Sequence, residues 1–324
     1  MGILVLLVLL LSLPGVVVAE APVVVSVEKI WEQGDHNAFT DLIRHNDTWY
    51  CVFREAAGHV KGDGGIRIIA SSDGKSWSSR ALLLEKGVDL RDPKICLTPD
   101  KRLMVTMGGS VYQGSTLTGR RPRVTFSTAG RIWSPPVPVC REGDWLWRTT
   151  WYGDTAYGVT YSGPVADSTE WTLTLMQSSD GVVWIPGADL PVTGKPNETT
   201  LRFQSDGTLL ALVRREGNSR NAFFGRSTPP YKEWIFEELD GAIGGPNFIL
   251  FPDNRMWAAG RRYGKTNKMA LGPLTADTYK PIVELPSGGD TSYPGLVWHE
   301  DMLWVSYYSS HEGKTCIYLA KIRL

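Results

Sequence analysis

Short apolar runs rich in β-branched and aromatic residues recur along this chain, separated by clusters of Gly, Asp, Asn, Ser and Pro. Residues 49–53, 66–70, 209–213 and 303–308 are examples. Such runs read as strands, and no stretch sustains the 3.6-residue period of an amphipathic helix. The pattern predicts an all-β protein. The polar punctuation is itself periodic. Ser71, Asp73, Gly74 and Trp77 recur as Ser178, Asp180, Gly181 and Trp184, in worn form as Ser127, Gly130 and Trp133, and as a distant echo in Ser227 and Trp234. The four tryptophans are spaced by 56, 51 and 50 residues, the scale of one four-stranded propeller blade. In such a turn the Asp side chain bonds backbone amides, Gly takes the positive-φ position and Trp packs between sheets. Its role is structural.

Blades are expected to begin near residues 36, 88, 143, 195, 242 and 290, a count of six rather than five or seven. The last lacks an outer strand. The apolar run 23–27 has no partner of its own, so the N-terminal strand is expected to complete the final blade and close the ring, which hides both sheet edges. The fold class is therefore a six-bladed β-propeller spanning 22–324. Ahead of it, residues 3–19 form a short apolar run with small residues at Ala19 and Ala21, the outline of a cleaved leader over 1–19. Export into the medium or a periplasm follows as the expectation, with no membrane contact after cleavage.

Composition narrows the partners. Acidic and basic residues balance to a formal net charge of zero, so no long-range field favours nucleic acid or an anionic membrane. Cys51, Cys96, Cys140 and Cys316 lie far apart, without the spacing of a zinc site; one or two disulfides are permitted and none is demanded. Thirteen Trp and twelve Tyr suit core packing and, in part, sugar stacking. Phosphate-binding Gly loops, H-E-x-x-H and G-x-S-x-G are all missing.

The repeated S-x-D-G-x-x-W turn resembles the Asp box of sialidases and related propellers. Two further stretches extend this resemblance over nearly the whole mature chain. Asn197-Glu198, followed by Arg214 on the next strand, is similar to the segment that opens the fourth sialidase blade. Tyr293-Pro294-Gly295 is similar to the place of the sialidase nucleophile at the start of the last blade. The resemblance implies a bacterial exo-α-sialidase-like hydrolase needing no cofactor or metal, acting on sialylated or other acidic glycans. It implies Tyr293 as nucleophile and Glu198 as its base. A sialic acid bears a carboxylate on its anomeric carbon, which would repel a carboxylate nucleophile but not a neutral phenol. A phenol in turn needs a base to take its proton.

Sialidases grip the substrate carboxylate with three arginines, whose planar forks bond it bidentately. Arg214 matches one position and Arg261 matches another more loosely. The first-blade Arg-Ile-Pro is replaced by Phe39-Thr40-Asp41, so compensation is expected from Arg91 or Arg54, and after them Arg148. Each of these also reads as a rim charge or a structural ion pair. The resemblance gives the general acid to a mobile first-blade loop, where Asp63 stands between glycines, with His59 as assistant and Asp41 and Asp92 as rivals. A sequon at Asn197, beside Glu198, fits a bacterial host that leaves it bare. Three functional classes stay open: a retaining exo-glycosidase, a non-catalytic glycan-binding propeller, and a propeller enzyme of other chemistry such as a uronate lyase.

Overall fold

The computed structural model describes residues 21–60, 62, 64–163 and 171–324, and within them every regular element is a strand. The leader expected over 1–19 lies outside the described residues. The strands form six antiparallel sheets. Their inner strands are His36–His45, Asp89–Leu97, Asp144–Leu146 (continued by Thr150–Tyr152), Pro196–Phe203, Gly244–Leu250 and Thr291–His299. Each packs beside the next in chain order, and the sixth packs beside the first, so the sheets are the blades of a closed propeller around one axis. The starts fall within two residues of the positions read from the repeat.

Closure takes the expected route. Val23–Trp31 pairs antiparallel with Cys316–Arg323 and supplies the outer strand of blade 6. The first strand of the chain thus covers an edge that the last strand would otherwise expose.

The Ser-x-Asp-Gly turns link the third and fourth strands of their blades. In blade 1 the Gly74 amide donates to Ser71 Oγ at 2.8 Å, and the Lys75 and Ser76 amides donate to Asp73 Oδ1 at 2.8 Å each. Blade 3 repeats the pattern at Ser178, Asp180 and Gly181. One short carboxylate thereby satisfies two amides that have no ladder partner. Gly74, at φ 68°, abuts the indole of Trp304, which is stacked on Trp49 with ring centroids 4.2 Å apart. This stack ties blade 1 to blade 6. Aromatic and aliphatic side chains of adjacent sheets fill the remaining wedges between blades, as two-sided burial of a strand requires. All four cysteines are free thiols.

Candidate active site at the channel mouth

A single backbone irregularity, repeated around the ring, builds the site. Five inner strands carry a bulge after their first one to three pairs, setting two residues against one of the next strand: Phe39-Thr40, Asp92-Pro93, Asn197-Glu198, Gly245-Pro246 and Tyr293-Pro294. In four of the five the first bulged residue has positive φ: Phe39 at 65°, Asp92 at 50°, Gly245 at 57° and Tyr293 at 52°. Bulges re-aim side chains, and positive φ in non-glycine residues marks a backbone held by its surroundings. Here they turn side chains into the axial channel. Gly245 has none to turn: a Cβ there would lie 2.4 Å from Ser292 Oγ and 3.1 Å from the Tyr293 ring, so its absence leaves room for that phenol.

The mouth is a cavity of about 340 Å³. At its floor the Tyr293 hydroxyl donates to Glu198 Oε1 at 2.5 Å, and Arg214 Nη1 lies 2.7 Å from the same oxygen. Arg214 Nη2 also bonds Glu216. Burial, then the Glu198 charge, push the Tyr293 pKa well above the ordinary phenol value. The proton therefore stays on oxygen until a base removes it. Burial disfavours the Arg214 cation, but Glu198 and its other anionic neighbours outweigh this and hold its pKa well above the usual value. Arg91 and Arg261 line the same cavity. Asp92 is there too, its pKa raised by burial.

Several buried polar atoms of this mouth have no hydrogen-bond partner among the described residues: Arg214 Nε, Arg261 Nε, Glu198 Oε2, Asp92 Oδ1 and Tyr308 Oη. Buried polar groups are rarely left so, and their concentration in one cavity marks a place built for a polar ligand.

Phe39 stands where a first-blade arginine was expected. Its ring meets Tyr293 and His59 edge-on at 5.1 and 5.0 Å, and the Arg91 guanidinium lies 5.2 Å above it. Arg91, from the next blade, thereby reaches across to the first-blade bulge at Phe39.

Three residues expected to meet substrate sit elsewhere. Arg54 is fully buried, 2.7 Å from Asp89 Oδ1, and donates to the Gly58 carbonyl at 2.6 Å, so it fastens a loop to blade 2. Asp41 and Arg148 pair with each other at 2.7 Å, and Asp41 also accepts the Ile95 amide. Both line a separate hollow of about 630 Å³ at the opposite end of the inner strands. Asp41 directly follows the bulge at Phe39-Thr40, and Arg148 lies in the stretch between Asp144–Leu146 and Thr150–Tyr152, so the chain carries both down the channel. Asp63 lies outside the described residues.

Sequence reasoning missed Lys94, Phe39, His36 and Asp290. Lys94 sits in the channel between mouth and lower hollow, 2 % exposed, its ammonium 4.6 Å from the Trp147 ring centroid and 5.1 Å from that of Tyr293. Burial, reinforced by Arg148, lowers its pKa to about 8. Only the dipeptides Asp92-Pro93, Gly245-Pro246 and Tyr293-Pro294, repeated at inner-strand starts, signalled this layer.

No family model and no curated protein matches the chain. Solved structures do. A protein of unknown function from Dyadobacter fermentans superposes with a TM-score of 0.82 at 20% identity, covering 94% of this chain and 99% of the other. The α-L-arabinofuranosidase Arb93A of Fusarium graminearum gives 0.73 at 14% identity over 93% of this chain and 98% of its own. Trypanosoma rangeli sialidase in complex with sialic acid gives 0.69 at 12% identity, covering 94% of this chain and 59% of the sialidase. At these identities the likeness is one of fold: the chain is built as a propeller of the kind found in glycosidases.

Proposed function

We propose that this protein is a retaining exo-glycosidase that releases a terminal sugar acid, with sialic acid the first candidate. The observation that carries the reading is the 2.5 Å contact between the Tyr293 hydroxyl and Glu198 on the floor of a cavity that also holds Arg91, Arg214 and Arg261. A phenol paired with a carboxylate suits an anomeric centre that carries its own negative charge, and three guanidinium groups suit that charge.

In the mechanism, the arginines hold the sugar carboxylate and so present the anomeric carbon to Tyr293. As the glycosidic bond lengthens, the phenol oxygen bonds that carbon and its proton passes to Glu198. Because burial keeps Tyr293 protonated, this transfer accompanies bond formation, and Arg214 keeps Glu198 aimed at it. Water then displaces the phenol with a second inversion, giving its proton to the group that protonated the departing oxygen, while the proton held by Glu198 returns to the phenol oxygen. Configuration at the anomeric carbon is retained. From the sequence, Asp63 is the expected acid for the departing oxygen.

The test is release of 4-methylumbelliferone from its sialic acid glycoside, with the α-L-arabinofuranoside as neutral counterpart because of the Arb93A likeness. Turnover of the acidic glycoside, lost in Tyr293→Phe, supports the reading. Turnover of the neutral one alone, or of neither, overturns it.

A further inference from the structure

The mouth contains a second hydrogen-bonded pair outside the phenol–carboxylate couple. His59 lines the cavity, and its Nδ1 lies 2.7 Å from Asp290 Oδ2. His36 Nε2 lies 2.9 Å from the same oxygen. Ring closure brings these residues together, since His36 starts the inner strand of blade 1 and Asp290 precedes that of blade 6. Each part is fixed. The Asp290 amide donates to Ser310 Oγ at 3.0 Å, Phe39 meets the His59 ring edge-on, and Arg54 holds the Gly58 carbonyl one residue before His59. Burial would raise the Asp290 pKa, but bonds from His36 and His59 outweigh it and lower it, so the carboxylate is ionised and only accepts. Nδ1 of His59 therefore carries the proton it shares with Asp290, and Nε2 is the ring nitrogen left for the cavity.

We infer that His59 is the general acid/base of this site and Asp290 its positioning residue, an assignment that rests on the glycosidase reading above. A carboxylate behind one imidazole nitrogen fixes the tautomer and stabilises the imidazolium while the other nitrogen works on substrate. In the first step Nε2–H gives its proton to the glycosidic oxygen as the carbon–oxygen bond breaks and Tyr293 bonds the anomeric carbon. In the second, the now neutral Nε2 takes a proton from the water whose oxygen attacks that carbon, and the bond to Tyr293 breaks. His59 ends as it began. His36, on the far side of Asp290, anchors the carboxylate.

Leaving-group dependence tests this. The intact protein and its His59→Ala, His59→Gln, Asp290→Asn and Asp63→Asn variants are assayed on methyl and 4-methylumbelliferyl glycosides of the same sugar acid, after thermal melts establish that each variant is folded. Protonation matters most for the poor methanol leaving group, so both His59 variants should lose about 10²–10⁴-fold in kcat/KM there. They should lose less than about tenfold in glycosylation of the enzyme by the activated substrate. Asp290→Asn should show the same asymmetry in weaker form. Added azide should speed His59→Ala on the activated substrate, by attacking the Tyr293-bound sugar to give a glycosyl azide of retained configuration. Equal losses on both substrates, unchanged activity in the His59 variants, or the asymmetry appearing in Asp63→Asn instead would overturn the assignment and leave the glycosidase reading standing. Hydrolysis abolished by a chelator and restored by zinc would also overturn it, because His36, His59 and Asp290 present donor atoms within 4.8 Å of one another and would then be ligands. No turnover of any glycoside by the intact protein would overturn both readings.

Discussion

Tyr293 and Glu198 meet at 2.5 Å although 95 residues and an intervening blade separate them in the chain. Each reaches the other from a bulge at the start of its own inner strand, so the contact depends on ring geometry rather than on any local motif. Removing the phenol oxygen should remove the nucleophile and little else. Tyr293→Phe is expected to lower kcat/KM by about 10³-fold or more with a melting temperature close to that of the parent. Gly245→Ala, which crowds the ring without touching its oxygen, should lose activity partially. Steady-state kinetics with the umbelliferyl glycoside, beside thermal melts, check both.

The two arginines that the sequence ranked first as replacements for the first-blade arginine should now separate experimentally. Arg91→Ala should cost the equivalent of about 1.5–3 kcal/mol in kcat/KM for an acidic sugar, the worth of a charged hydrogen bond, and nothing for its uncharged methyl ester. Arg54→Ala should instead cost about 3–5 kcal/mol of stability, because it strands the buried Asp89 carboxylate. Urea denaturation beside ester and acid kinetics distinguishes the two outcomes.

Lys94 makes stability depend on pH in a predictable sense. Its folded pKa of about 8 lies below the ordinary lysine value of 10.5. Between those values the unfolded chain binds a proton that the folded chain has released, so stability from this group rises with pH across about 8 to 10.5. It is fully present above that window and lost as pH falls through the folded value. The gap corresponds to about 3 kcal/mol. Lys94→Met should therefore be more stable than the parent at pH 7, and the difference should shrink towards pH 10.5. Denaturant midpoints across that range give the answer.

The repeated glycine turns should not tolerate substitution equally. Gly74 and Gly181 both hold positive φ, and alanine at either strains the backbone by about 1 kcal/mol. At Gly74 the added Cβ would also come within 2.5 Å of Trp304, an indole locked by its stack on Trp49; at Gly181 it meets the flexible end of Met104 at 3.1 Å. Gly74→Ala should be the more destabilising by about 1–3 kcal/mol, as read by chemical denaturation of both variants.

The architecture was legible because the tryptophan turn recurs at blade spacing through the first four blades, and a period survives where single strands are ambiguous. Glu198, Tyr293 and Arg214 were legible through their blade positions. Asp41 and Arg148 were misread because the sequence does not say at which residue an inner strand bends: directly past the bulge at Phe39-Thr40, and in the break between Asp144–Leu146 and Thr150–Tyr152, side chains belong to the other end of the channel. Arg54 lies near the end of a second strand, as Arg214 and Arg261 do, but Asp89 of the next blade claims its charge. His36 and Asp290 carried no signal, being 254 residues apart and adjacent only once the ring closes.

That closure sets the order in which the molecule can be completed. Val23 pairs with Arg323, so the strand Val23–Trp31 waits without its partner until Cys316–Arg323 exists. Contacts of such sequence separation demand a large loop entropy before they return any stabilisation, which makes the last step slow and cooperative. A chain halted a few residues early would keep most of its blades yet present two unmated sheet edges to its neighbours. Quality control of this fold is thus concentrated in one seam, where Val23–Trp31 and Cys316–Arg323 verify each other.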